Sequence, residues 1–416
     1  MITQRTRIHL FLISLYYVLL TIAYRVLIFP RFEYQGFSWQ LNPLKFVFGL
    51  AVLLVFYLLF LQIKRSVSLG ALSIFYVMAL VPAAVVYSVQ DQPLLRFLLY
   101  SGAFFGLAFF LKLIPMFSFG RIRIPRVTLV LILLLFSISV TTVLIINNGM
   151  NWGRAFDLSQ TYDIRSQNNY GLRVMYYFVP WVYRIVNIVL IIHALSERKR
   201  FLLLFVISIQ LMIFMSTAHK IILFDLMAII FIYCISNSGF YLTNLLTVIN
   251  IGVIGTFVLE YIFTALQPML SSLAIRRILL LPAQITYQYM EYFDTHVRLF
   301  LTHSVFRRFA QSSCSMEIPR IIGKVYYNNA NSWVNTGWVG DAYMNFGALG
   351  ILLFSAGLAL FIKIMDSVQI KGVKGETFSV VLGALIALLL INGAFLTSLL
   401  SHGLFLLFLI CLCIGE

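Results

Sequence analysis

Charge is scarce in this chain. Only 11% of its 416 residues are Asp, Glu, Lys or Arg, and the acidic ones are fewest, 14 against 30 basic. Cysteine is nearly absent as well, with four in all. Cys234, Cys411 and Cys413 lie in apolar runs and only Cys314 lies in a loop, with no CxxC pair, which excludes a disulfide scaffold and a thiolate metal site. No GxxxxGK[ST] occurs, so no P-loop for ATP is indicated, and neither DxD nor HExxH is present. Neither metal nor cofactor is therefore expected, nor a nucleic-acid partner. Any reaction must draw its energy from a substrate that arrives already activated.

What fills the chain instead is apolar: 61% of residues are hydrophobic and the mean hydropathy is +0.96. A soluble domain is far more polar. The expected class is an all-α polytopic membrane protein folded as one integral membrane domain. Runs near 20 apolar residues span a bilayer core. Such runs lie at about 8–30, 44–63, 68–89, 95–117, 127–146, 174–196, 201–216, 220–236, 241–263, 340–365, 377–396 and 399–414, about 12 helices. The first is too long for a cleaved leader and reads as a signal anchor.

The short loops orient this map. Arg5, Arg7, Lys64, Arg65, Arg121, Arg123, Arg126, Arg198 to Arg200, Lys371 and Lys374 all fall on one side, which the positive-inside rule makes the cytoplasm. Both termini are then cytoplasmic, and segments 147–173 and 264–339 lie outside. Those outer segments are themselves basic. Arg154, Arg165, Arg173, Arg276, Arg277, Arg298, Arg307, Arg308, Arg320 and Lys324 outnumber Asp157, Asp163, Glu291, Asp294 and Glu317. Lipid headgroups account for some of these charges; as a set they fit an anionic ligand better. Arginine forks suit phosphate oxygens.

Aromatic and amide side chains accompany them. The stretches QITYQYMEYF (284–293), with Tyr287 and Tyr289, and YYNNANSWVNTGWVGDAY (326–343), with Trp333 and Trp338, mix rings with Asn and Gln in the manner of a sugar surface. An interfacial aromatic belt is the plainer reading, above all for Tyr176 and Tyr177. The stretch from Arg276 reads as an amphipathic helix lying near the surface, kinked or ended by Pro282, with Tyr287, Met290 and Tyr292 or Phe293 on its apolar face. Asp341 is placed as a helix N-cap, or faces a ligand with Asn345. His219 and Lys220, in STAHKIILFD, sit at an outer mouth. Lys220 reads as an anchor or ligand contact, and His219 as a proton-transfer group or a satisfied structural histidine. Within the spans, Arg184 is expected to pair with Asp225 or Glu260.

STAHKIILFD, IRRILLLPAQITYQYMEYF and GWVGDAYMNFGALG, set in this topology, resemble the Wzy-type O-antigen polymerases, the oligosaccharide repeat-unit polymerases of bacterial inner membranes. Arg followed eleven positions later by Gly, a pattern of some members, is absent from both long loops. The resemblance implies a membrane-embedded glycosyltransferase of the lipid-phosphate-dependent, GT-C-like kind. Its substrate would be an undecaprenyl-pyrophosphate-linked oligosaccharide, met at the periplasmic face among membrane lipids, with a polysaccharide chain-length regulator as a possible partner. In that picture Arg276, Arg277 and Arg165 stabilise the departing pyrophosphate, and Arg154, Arg173, Lys220, Tyr287, Tyr289, Trp333, Trp338 and Asp341 contact substrate. His219, Asp163 and Glu260, in that order, are candidates for the general base. An O-antigen ligase acting on lipid A–core and a lipid-linked oligosaccharide flippase are the competing readings.

Overall fold

The computed structural model describes residues 3–60, 63–120, 122, 124–150, 168–304, 316–368 and 373–413. Among them every regular element is a helix and no strand occurs. Eight helices are long and apolar enough to cross a membrane: Gln4–Gln35, Val67–Val89, Leu94–Leu113, Arg126–Asn148, Met175–Ser196, Arg200–Thr217, Tyr241–Ile262 and Trp338–Ser367. Four more apolar helices are shorter over their described residues: Pro43–Leu59, Ile221–Ser236, Gly375–Ile391 and Leu404–Cys413. This is a membrane-embedded, all-α protein.

Proline sets much of the local geometry. A proline ring clashes with the carbonyl four residues earlier and offers no N–H. Three helices answer by widening into π-helical turns: Tyr24–Ile28, Tyr76–Leu80 and Ser271–Leu280. Each widened stretch ends two residues before a proline, Pro30, Pro82 and Pro282. The expected break at Pro282 is thus a change of pitch. Ser271–Leu280 runs directly into the α-helix Leu281–Thr295.

The chain forms two compact units. The first comprises Met1–Pro115, Gly239–Lys363 and Gly383–Leu396. Its central helix is Val67–Val89, which packs against Gln4–Gln35, Pro43–Phe60, Leu94–Leu113 and Leu281–Thr295. Ser66 caps its start, the side chain accepting from Leu69 N at 3.3 Å. Tyrosine hydroxyls are aimed at main-chain carbonyls in this core: Tyr16 at Val77 (2.8 Å), Tyr76 at Leu53 (3.0 Å) and Tyr287 at Ala83 (3.1 Å). A buried phenol needs such a partner.

The helix expected to lie on the surface does not do so. Residues 282–290 are all buried, because the run packs against the central helix and against Ile318–Tyr327. Its glutamines and threonine masked how apolar its surroundings are.

The second unit comprises Met116–Ser238, Ile364–Leu382 and Thr397–Glu416. Its core joins Val140 and Leu144, Val179 and Val182, Ile213 and Phe214, and Ile222. A buried polar relay ties three of its helices: Ser137 Oγ donates to Asn187 Oδ1 (2.6 Å), Asn187 Nδ2 to Gln210 Oε1 (2.8 Å), and Gln210 Nε2 to the Tyr183 carbonyl (2.9 Å). Interhelical amide bonds of this kind serve as glue where lipid gives helices no apolar incentive to associate.

Candidate functional site

In the first unit a polar layer surrounds Arg276. The wide turns of Ser271–Leu280 direct Arg276 inward, 6% exposed, and leave the adjacent Arg277 exposed. The predicted arginine pair is therefore split between two environments. Arg276 Nη1 donates to Gln35 Oε1 at 2.5 Å, Nη2 donates to Ser272 Oγ at 2.6 Å, and the guanidinium lies 4.4 Å from the Phe32 ring centroid. These three groups are neutral.

Glutamines extend the layer. Gln284 Nε2 donates to the Gln35 carbonyl (2.8 Å), and Gln90 Nε2 donates to Tyr24 Oη (2.8 Å) and Gln284 Oε1 (3.4 Å). Tyr327 donates its hydroxyl to Gln288 Oε1 at 3.1 Å. Burial pushes this phenol up to about 12, against the pull of the Gln288 bond and the Arg276 charge.

Beside it stands an ion pair that sequence reasoning did not find. Arg31 Nη1 donates to Glu260 Oε2 at 2.6 Å, and Glu260 Oε1 accepts from Ser271 N at 2.6 Å. Arg31 also reaches Gln267 Oε1 at 3.1 Å. Glu260 is 1% exposed and both its oxygens are engaged, so it anchors the start of the π-helix. Of the two partners expected for Arg184, it is Asp225 that it meets, Nε lying 3.8 Å from Oδ2 within the second unit. The available signal for Arg31 was its place at the predicted outer end of the first apolar run.

A second charged patch of this unit gathers on Leu281–Thr295. Asp294 accepts from Arg96 Nε at 3.0 Å and from the Tyr343 hydroxyl, and Glu291 lies 3.7 Å from Arg96. Arg298 covers the Tyr343 ring at 4.2 Å.

Other predicted residues are placed as follows. Tyr287 and Tyr289 are buried, the latter donating to the Val334 carbonyl at 2.7 Å. Trp338 is buried against Phe75 and Phe104, while Trp333 is exposed. Asp341 does not cap its own helix. It is the fourth residue of Trp338–Ser367, and its Oδ2 accepts from Phe395 N at 2.9 Å, the first residue of Phe395–Leu400. It caps a helix 54 residues away, a relation no local pattern reveals. Asn345 Nδ2 donates to its other oxygen at 3.0 Å.

In the second unit, His219 Nε2 lies 3.2 Å from the Tyr170 hydroxyl. The helix Arg200–Thr217 ends in the left-handed Ala218, and Lys220 sits half-buried at the start of Ile221–Ser236. Arg173 is exposed in a turn. Arg154, Asp163 and Arg165 lie outside the described residues. Among the described residues no three His, Cys, Asp or Glu side chains cluster to hold a metal ion.

Searches against protein families, curated proteins and solved structures return no match to this chain.

Proposed function

We propose that this protein is a glycosyltransferase of the O-antigen polymerase kind. It spans the bacterial inner membrane twelve times with both termini in the cytoplasm, and joins undecaprenyl-pyrophosphate-linked repeat units at the periplasmic face. The observation that carries the reading is Arg276: a buried guanidinium that donates to Gln35 and Ser272 beside the Phe32 ring, in a layer of glutamines at the predicted outer end of the helices.

In the proposed reaction the glycosyl C1–O bond to pyrophosphate breaks and C1 bonds to a hydroxyl of the incoming repeat unit. The bonding pair leaves with undecaprenyl pyrophosphate, and the hydroxyl proton passes to a base. Negative charge grows on the leaving oxygens. Arg276 answers it with preorganised donors in a site shielded from bulk water, where a single such donor is worth ~3 kcal/mol of barrier. Gln35 and Ser272 hold the fork in orientation until phosphate oxygens replace them as acceptors, and Arg277 meets the same group from the exposed side. The amides of Gln284 and Gln288 supply the donors and acceptors that sugar hydroxyls need.

The test is reconstitution of the purified full chain with undecaprenyl-pyrophosphate repeat units. A ladder of glycan lengths supports the reading. Transfer only to lipid A–core would make the protein a ligase, and recovery of unchanged substrate would remove the glycosyltransferase reading.

A further inference from the structure

A cavity of about 490 Å³ opens in the first unit far from Arg276. Its rim carries Arg5, Lys64 and Arg65, and its described lining contains no carboxylate. The floor is polar and rigid. His9, 2% exposed, is held through both ring nitrogens, Nδ1 with Tyr57 Oη at 2.6 Å and Nε2 with Thr243 Oγ1 at 2.7 Å. Tyr241, also on the lining, bonds Ser73 at 2.9 Å. Leu69 and Leu242 add apolar wall.

The cavity and the Arg276 layer share a helix. Tyr241 and Leu242 begin Tyr241–Ile262 and Glu260 ends it. At 1.5 Å per residue the two sites are about 28 Å apart along that axis, close to one hydrocarbon thickness. The cavity therefore faces the side that the short-loop charges assign to the cytoplasm.

We propose that this cavity is a binding site for a phosphate group, presented by the headgroup of an anionic phospholipid. Arg5 and Lys64, on a described lining that holds no carboxylate, favour an anion. The hydroxyls of Tyr57 and Tyr241 are held in place by His9 and Ser73, so they need little reorganisation to meet phosphate oxygens. Basic pockets between membrane helices on the cytoplasmic side recognise acidic headgroups by this means, and the leucine wall meets the first methylenes of the acyl chains. The exposed Phe240 at the mouth, with the Arg5 guanidinium 5.3 Å from its ring, continues that surface toward the bilayer. The inference does not depend on the glycosyltransferase reading, because none of these residues belongs to the Arg276 layer.

The full chain, purified in detergent and delipidated, is titrated with phosphatidylglycerol, with phosphatidylcholine and with inorganic phosphate. Bound lipid is counted by native mass spectrometry and the Tm is followed. Phosphatidylglycerol is expected to remain bound and raise the Tm, phosphatidylcholine to do neither. The exposed pair Arg5→Ala/Lys64→Ala should weaken the lipid by roughly thirtyfold, at about one kcal/mol per cation. Thr6→Val, which removes a lining hydroxyl and no charge, should weaken it less, and Arg276→Ala should leave it unchanged. Inorganic phosphate that displaces the lipid and raises the Tm by itself would keep the phosphate site but assign it to a soluble ligand. Equal binding of the two lipids, or unaltered phosphatidylglycerol affinity in both cavity variants, overturns the proposal.

Discussion

Arg298 Nη1 donates to the carbonyl of Tyr343 at 3.2 Å, four residues before Gly347 breaks the helix Trp338–Ser367. Gly347 has φ 61° and ψ −139°, which a side chain tolerates poorly. A regular helix pairs the carbonyls of Tyr343, Met344 and Asn345 with the N–H groups of residues 347 to 349. Here they accept from Arg298, from Leu299 N (3.1 Å) and from Phe300 N (3.3 Å). Leu301 N adds a bond to Asn345 Oδ1 at 2.8 Å. The segment after Leu281–Thr295 thus plugs a break in an apolar helix, where unsatisfied backbone is costly.

Gly347→Ala is expected to lower stability by about 1–3 kcal/mol through the forced positive φ, and a Cβ there would also meet Arg298 Nε at 3.4 Å. Arg298→Ala should destabilise less, because the two backbone donors remain. Thermal unfolding in detergent measures both, and a neutral Gly347→Ala would show that the break is not required.

Arg276→Ala is expected to cut polymer formation by about 10²-fold or more with the protein still present in the membrane. Arg276→Lys should recover only part, since lysine lacks the planar fork. Arg277→Ala, on an exposed side chain, should raise KM for the lipid-linked donor more than it lowers kcat. Wild-type chain lengths in Arg276→Ala would sink the clamp.

Glu260→Ala should be among the most destabilising single changes in the first unit. It leaves Arg31 without its carboxylate and Ser271 N without its acceptor, a loss of up to about 3 kcal/mol. A double-mutant cycle with Arg31→Ala measures the coupling; additive effects would mean that the pair contributes nothing of its own.

His219→Gln tests the general-base reading. Loss of about 10²-fold in kcat with unaltered Tm is the expected result. Full activity would leave His219 as a partner of Tyr170 only.

Asp91 is held below the ordinary carboxylate value, first by its hydrogen bond from Lys45, 2.8 Å away, and then by Asn42. A depressed folded value means stabilisation that is present above the unfolded pKa of about 3.9 and lost as pH falls through the lower folded value. The small Tm deficit expected of Asp91→Asn near neutral pH should therefore vanish in acid. A deficit that persists at all pH values would trace to the loop instead.

Topology is checked with single cysteines in a cysteine-free background. Ala330→Cys should react with an impermeant thiol reagent in intact spheroplasts and Lys199→Cys should not. The reverse pattern would invert the orientation.

Composition and hydropathy by themselves determined that this is an all-helical membrane protein, and roughly where each apolar helix runs. Apolar content is a sum over neighbouring residues and needs no knowledge of the fold. Pro282 likewise marked a departure from the regular helix, because the clash of the ring is local. Tertiary structure alone decided what the polar residues do. Arg276 meets Gln35 across 241 positions and Arg31 meets Glu260 across 229. The difference between buried Arg276 and exposed Arg277 is set by which turn of a π-helix faces the core. In an apolar medium each polar group must find a partner or a ligand, and that partner is chosen by packing between helices, which no window of the sequence contains.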